Sequence, residues 1–130
     1  MRCHENLLEA LTTAAAWTKT SCISEAMKTQ SMIEENRGEM VLHDGLLDAL
    51  ANLASLEGLN DSEVRHNAID TIERLALEPS TRYEMAINEG VMTTLTKAAF
   101  SRAAIKPTDK DEMEAKRRTK AVLKSLTDTL

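Results

Sequence analysis

Apolar residues recur at three- and four-residue steps along most of the chain, a spacing typical of amphipathic α-helices. In residues 46–54 the recurring positions are Leu46, Leu47, Leu50, Leu53 and Ala54. In residues 64–76 they are Val64, Ala68, Ile72, Leu75 and Ala76, and near the end of the chain they are Ala115, Thr119, Leu123 and Leu126. The pattern predicts an all-α chain in which each of these helices buries one apolar stripe.

Short helices are predicted before the first of these stripes and again further along the chain. Asn36 with Glu39, and Thr81 with Glu84, have the spacing of a capping box, in which a side chain at the helix start and a carboxylate three residues later bond reciprocally. A short helix is therefore expected to begin at Asn36 and another at Thr81.

Glycine, proline and a polar turn divide the predicted helices. Gly45 and Gly90 follow the two short helices, and glycine tolerates the left-handed backbone that closes a helix. A turn is expected at 57–60, and Pro79 is expected to stop the helix that contains residues 64–76. The corresponding helix near the N-terminus has its apolar stripe at Ile23, Ala26, Met27, Gln30 and Ile33, and its register stays open.

The chain also repeats itself. Residues 43–54 align with residues 88–99 at an offset of 45, so that a glycine, a leucine and an alanine coincide. The segments 37–40 and 82–85 match at the same offset, and residues 6–15 supply a third copy. Such periods are typical of helical solenoids, in which neighbouring units bury a continuous core. We predict one domain over residues 1–130, with approximate units 1–44, 45–89 and 90–130.

A short helix, a glycine turn, a second helix with Gly-x-x-x-x-Leu-x-x-Leu-Ala and a third with Val-x-x-x-Ala-x-x-x-Ile-x-x-Leu-Ala resemble the armadillo repeat. The family's recurrent positions are occupied by Gly45, Leu50, Val64, Ala68, Ile72, Leu75, Ala76 and Gly90. HEAT repeats have two helices per unit and are the nearest alternative, whereas the distinct short first helices favour armadillo. The resemblance implies an armadillo-like solenoid, a right-handed α-α superhelix of about three repeats.

The resemblance also implies a binding face. In armadillo proteins the third helices line a concave groove that binds extended peptides or partner proteins. Position by position, the groove residues of this chain are Asn67, Asp70, Arg74, Arg118 and Ser125. Several members carry a ladder of Asn and Trp there, but Arg74 and Ser125 stand at the Asn places, and Asp70 and Ala121 at the Trp places. A protein or peptide partner is expected, bound without that ladder.

The composition of the chain indicates where in the cell the protein is expected. The chain is 42% hydrophobic, and no apolar run approaches the roughly 20 residues that span a bilayer, so we expect no membrane association. Glu5 and Glu9 stand where a targeting leader would be free of acidic residues. Cys3 and Cys22 are too few for a disulfide framework. The expected location is the cytoplasm or nucleus.

Candidate chemistry is sparse. The histidines and cysteines lack the short paired spacings of a zinc site, and no Gly-x-Ser-x-Gly, glycine-rich phosphate loop or His-Glu-x-x-His occurs. We therefore expect a protein that is not an enzyme and uses no cofactor or metal.

The distribution of charge suggests two alternatives. The last 30 residues carry a net charge of +3 and the first 100 carry −8, because residues 116–124 are rich in Lys and Arg. Binding of nucleic acid by this basic helix is one alternative, but the chain is acidic overall and has only three aromatic residues for stacking. The other is self-association, since three repeats lie near the lower limit for a stable solenoid.

Overall fold

The computed structural model describes residues 5–17, 21–43, 45–55, 62–100 and 110–129 of the chain. Every regular element in these ranges is an α-helix, which confirms the all-α prediction. The helices are α1 (Glu5–Trp17), α2 (Ser21–Ser31), α3 (Glu34–Leu42), α4 (Leu46–Ala54), α5 (Ser62–Leu75), α6 (Pro79–Ala86), α7 (Glu89–Phe100) and α8 (Lys110–Thr129). The turn predicted at 57–60 lies outside the described residues. None of these helices is long and apolar enough to cross a membrane.

Helices that correspond in the repeated sequence pack against one another. The short helices α3 and α6 are in contact, as are α4 with α7 and α5 with α8. Towards the N-terminus, α1 packs on α4 and α2 packs on α5. In addition, α4 contacts α5 and α7 contacts α8. Helices with matching sequence patterns therefore lie side by side.

The predicted apolar stripes form the core between these helices. Leu50 of α4 and its counterpart Leu95 of α7 are both fully buried, and so are Ile72 and Leu75 of α5. Burying a side chain of this size contributes about 1.5–3 kcal/mol. The core as a whole joins residues from Leu8 in α1 to Leu126 in α8. The stripes of α4 and α5 are confirmed.

The register of α8 is also confirmed at its described side chains. Thr119 and Leu126 are buried, in line with Ala68 and Leu75 of α5, and Leu123 packs against the core. The basic residues of the same helix are mostly exposed to solvent, namely Arg117, Arg118, Lys120 and Lys124, while Lys116 is half-buried. The basic stretch is therefore the polar side of an amphipathic helix.

The predicted cap at Asn36 is wrong. The N-cap of α3 is Ile33, without a side-chain cap bond, and Asn36 is the third residue of the helix. Asn36 is buried, and its Nδ2 donates a hydrogen bond to Gln30 Oε1 at 2.9 Å. The side chain is thus engaged by the preceding helix and does not cap its own.

The corresponding prediction at Thr81 is wrong for the same physical reason. α6 has Glu78 as its N-cap and Pro79 as its first residue, where a missing N–H costs nothing. Pro79 therefore begins a helix, although α5 does end shortly before it, at Leu75. The Thr81 hydroxyl is buried within hydrogen-bonding distance of the carbonyl oxygens of Leu75 and Glu78.

The two matched glycines have different roles. Gly45 has φ of +83°, the left-handed conformation that was predicted, and it immediately precedes α4. Gly90 instead lies in the first turn of α7, whose start is capped by Asn88, which accepts a 3.0 Å bond from the Val91 N–H. The prediction that Gly90 closes a helix is therefore wrong. A Cβ atom at Gly90 would lie 3.4 Å from Ala51 Cβ, where α7 approaches α4.

α2 differs most from its predicted stripe. Met27 is fully buried, and Ile23 and Ala26 pack against the core, but Ile33 lies beyond the end of the helix and is 41% exposed. Ser24 and Ser31 are fully buried instead. Small polar residues let α2 lie close to α5, and their hydroxyls are satisfied by hydrogen bonds. Ser31 Oγ donates to the Lys28 carbonyl at 2.6 Å.

Candidate functional site

The best candidate for a binding site is a depression between α5 and α8 with a volume of about 320 Å³. We call it the α5–α8 depression, and its lining residues are Asp70, Glu73, Arg74, Leu77, Arg118, Ala121 and Val122. The first four recur at three- and four-residue steps, so they lie on one side of α5 and its C-terminal end. The other three lie on one side of α8 for the same reason. Two packed helices therefore hold the site.

Three of the five predicted groove residues line this depression: Asp70, Arg74 and Arg118. Asn67 precedes them on α5 and is buried, and its Nδ2 donates to Ser24 Oγ of α2 at 3.2 Å. Asn67 is therefore engaged in packing α2 against α5. Ser125 is exposed on α8, two turns beyond Arg118, and does not line the depression.

The groove positions carried over from the armadillo resemblance did not include Glu73, Leu77 and Val122, which also line the depression. A signal for the first two was present, because Glu73 and Leu77 complete the series that Asp70 and Arg74 begin on the same side of one helix. Val122 could be assigned only once α8 was known to pack beside α5, since its neighbours in sequence include both buried and exposed positions.

The charges around the depression are unequally compensated. Lys28 Nζ of α2 lies 3.3 Å from Asp70 Oδ2, so that carboxylate already has a cationic partner. Arg74 and Arg118 form no salt bridge with any residue in the described part of the chain. In addition, Arg74 Nε is buried and has no hydrogen-bond acceptor among the described residues. A buried donor without a partner is rare in folded proteins.

Glu73 is the titratable group whose charge is most affected by this environment. Burial raises the pKa of its carboxyl above the usual value, and the negative charge of Asp70 raises it further. Arg118, a hydrogen bond from Thr119 and Arg74 act in the opposite direction, without cancelling the effect of burial. The Thr119 hydroxyl donates to Glu73 Oε1 at 3.4 Å. The ionised form of Glu73 is therefore less favourable in the folded protein than in the unfolded chain.

A second, wider depression of about 600 Å³ lies between α4 and α7, on another side of the molecule. Four of its polar groups bond to one another in pairs: Asn88 Nδ2 donates to Asp48 Oδ1 at 3.3 Å, and Ser55 Oγ lies 3.0 Å from Thr94 Oγ1. It is also shallow and open to solvent. These groups form a satisfied surface, whereas the α5–α8 depression retains an unsatisfied donor.

The described residues include no group of three or more His, Cys, Asp or Glu placed to hold a metal ion. No protein-family model, curated protein or solved structure matches the chain.

Proposed function

We propose that this protein is a non-catalytic interaction module, an armadillo-like superhelix of about three repeats that binds a partner protein or peptide. The binding surface is the side formed by α2, α5 and α8, which we call the third-helix face. The observation that carries the proposal is the α5–α8 depression, where Arg74 and Arg118 stand without a salt bridge to the described residues.

The packing of the helices supports the armadillo-like architecture. α2 contacts α5 and α5 contacts α8, while the second helices α1, α4 and α7 make a parallel series of contacts. The short helices α3 and α6 also contact each other. Such a series of contacts between corresponding helices is what a stack of three-helix units requires.

The rigidity of the third-helix face supports binding. Asp70 and Arg74 stand on a helix whose opposite side is core, because Ile72 and Leu75 are fully buried. Their side chains remain half-exposed, so that a ligand can reach them. Polar groups held on packed helices lose little conformational entropy when they bind a partner.

The experiment is an affinity capture from a lysate of the source cells, analysed by mass spectrometry. Wild-type protein is compared with a groove variant, Asp70→Lys with Arg74→Glu, which leaves the net charge unchanged. The matched control is Glu89→Lys with Lys97→Glu, a charge swap of the same size at exposed positions of α7. Circular dichroism establishes that both variants are folded before capture.

The proposal predicts a protein that is retained by the wild type and the control variant and lost by the groove variant. Retention by all three would contradict it, and so would equal loss from both variants. A wild-type chain that captures only copies of itself, or only nucleic acid, would favour one of the two alternatives.

A further inference from the structure

We propose that the α5–α8 depression binds an acidic side chain of a peptide partner, with Arg74 and Arg118 on its carboxylate and an aliphatic neighbour against Leu77 and Val122. This inference rests on the proposed function and adds the chemistry of the partner. It predicts a peptide in which glutamate or aspartate stands next to an aliphatic residue.

Arg74 carries a hydrogen-bond donor that no described residue satisfies. Its Nε is buried and has no acceptor in the described part of the chain, although the side chain as a whole is half-buried and lines the depression. A buried N–H is expected to find an acceptor. The guanidinium group presents donors in a fixed planar fork, and a carboxylate is the group that accepts two of them side by side.

The charges that line the depression also favour an anionic ligand. Asp70 is compensated by Lys28 from α2, and burial of Glu73 makes its negative charge unfavourable. Arg74 and Arg118 therefore face the site together with Glu73, the lining carboxylate that has no salt-bridge partner in the described part of the chain. An incoming carboxylate would be attracted by the two guanidinium groups, whereas a cation would be repelled by them.

Leu77, Ala121 and Val122 form an apolar wall of the depression. Leu77 is 60% exposed although it is a large aliphatic residue, and it lies beside Ala121 and Val122 of α8. A volume of about 320 Å³ is at the small end of ligand-binding pockets. Cationic donors on one side and aliphatic side chains on the other match a short acidic and aliphatic segment of a peptide.

The same features disfavour a phosphate ligand. A phosphate group carries more negative charge than a carboxylate, and it would lie close to both Asp70 and Glu73. The aliphatic side chains of the apolar wall form no hydrogen bonds with a nucleic-acid backbone. The net charge of −5 on the chain also repels the phosphates of that backbone. A peptide carboxylate is therefore the occupant that the site fits best.

The probe is a synthetic heptapeptide of alternating leucine and glutamate, acetylated and amidated at its ends, and the reference peptide has glutamine at every glutamate. Each is titrated into the ¹⁵N-labelled full chain at physiological salt, and the arginine Nε–Hε signals are followed by NMR. We expect the Arg74 and Arg118 signals to move and the glutamate peptide to bind about tenfold more tightly, as charge-assisted hydrogen bonds imply.

The variant for this test is Arg118→Glu, because Arg118 is exposed and its replacement leaves the core intact. The matched control is Lys124→Glu, the same change of charge at an exposed position on the same helix. We expect Arg118→Glu to weaken glutamate-peptide binding about tenfold and Lys124→Glu to weaken it less than about twofold, since screened charges at a distance contribute little. Arg74→Lys keeps the charge and loses the fork, so it should also weaken binding.

Equal binding of the glutamate and glutamine peptides would overturn the inference, as would equal losses from Arg118→Glu and Lys124→Glu. Movement of the same arginine signals by inorganic phosphate or by polyuridine RNA, at concentrations where the peptide has no effect, would also overturn it. If the captured partner still requires Asp70 and Arg74 while the peptides do not bind, this inference fails and the proposed function stands. If the captured partner does not require Asp70 and Arg74 and the peptides do not bind, both the inference and the proposed function fail.

Discussion

Arg37 of α3 and Arg82 of α6 make the same hydrogen bond. Each donates its Nε–H to the backbone carbonyl of the residue six positions earlier, Ser31 at 2.7 Å and Ala76 at 2.8 Å. Ser31 is the last residue of α2 and Ala76 directly follows α5, and the last carbonyls of a helix have no partner within the helix. Arg37 of α3 therefore caps α2, and Arg82 of α6 caps α5.

Replacing either arginine should therefore destabilise the fold. We expect Arg82→Ala to lower the free energy of unfolding by about 1–3 kcal/mol, because it leaves the half-buried Ala76 carbonyl without its charged donor. Arg37→Ala should have the larger effect, since Arg37 also forms a 3.0 Å salt bridge with Glu78. Urea denaturation measures both. The control is Arg117→Ala on the exposed side of α8, and a loss as large as that of Arg82→Ala would contradict the assignment.

The apolar stripes of α4 and α5 should carry much of the stability. We expect Leu50→Ala and Leu75→Ala each to lower the free energy of unfolding by about 2–5 kcal/mol, because both side chains are fully buried and truncation leaves a cavity. Leu42→Ala is the matched control, since Leu42 is 72% exposed. Equal denaturation midpoints for Leu50→Ala and Leu42→Ala would mean that the core is assigned to the wrong residues.

Periodicity predicted the helices that bury a stripe, and it failed where tertiary neighbours decide. Leu50, Ile72 and Leu126 were placed correctly because a three- and four-residue spacing determines which side of a helix can be buried. Asn36 and Thr81 were misread because the carbonyl or amide that each side chain reaches belongs to the preceding helix or turn. A local capping pattern contains no information about that neighbour.

Predictions for the site were likewise correct where helix spacing decides and incomplete where tertiary neighbours decide. The family positions brought Asp70, Arg74 and Arg118 to one depression, because the spacing within α5 and α8 places them on facing sides. The salt bridge between Asp70 and Lys28 could not be predicted from the sequence, because the register of α2 stayed open. The role of Asn67 in packing could not be predicted for the same reason.

Two glycines should respond to alanine in opposite directions. Gly38 lies inside α3 and a Cβ atom there would meet nothing within 4 Å, so Gly38→Ala should stabilise the fold by about 0.5–1 kcal/mol. Gly45 has φ of +83°, so Gly45→Ala should destabilise it by about 1–2 kcal/mol. Urea denaturation of both variants checks the signs. A stabilising Gly45→Ala would show that this turn does not require left-handed backbone.

The stability of the α5–α8 contact should depend on pH through Glu73. Because burial raises the pKa of this carboxyl in the folded state, the folded protein holds the proton more tightly than the unfolded chain. Stability from this group is complete below the unfolded pKa, near 4.5, and is lost as the pH rises through the higher folded value. Glu73→Gln mimics the protonated form, so the variant should become more stable than the wild type across this window and remain so at pH 7.

Carboxyl NMR titration of Glu73 tests the cause directly. The midpoint should lie above 4.5 in the folded wild type, and it should rise further in Arg118→Gln because the largest lowering influence is removed. Arg117→Gln is the matched control, since Arg117 pairs with Glu114 on the exposed side of α8 and is not among the groups that affect Glu73. A wild-type midpoint at or below 4.5, or equal shifts in the two variants, would show that Glu73 is not governed by burial against α8.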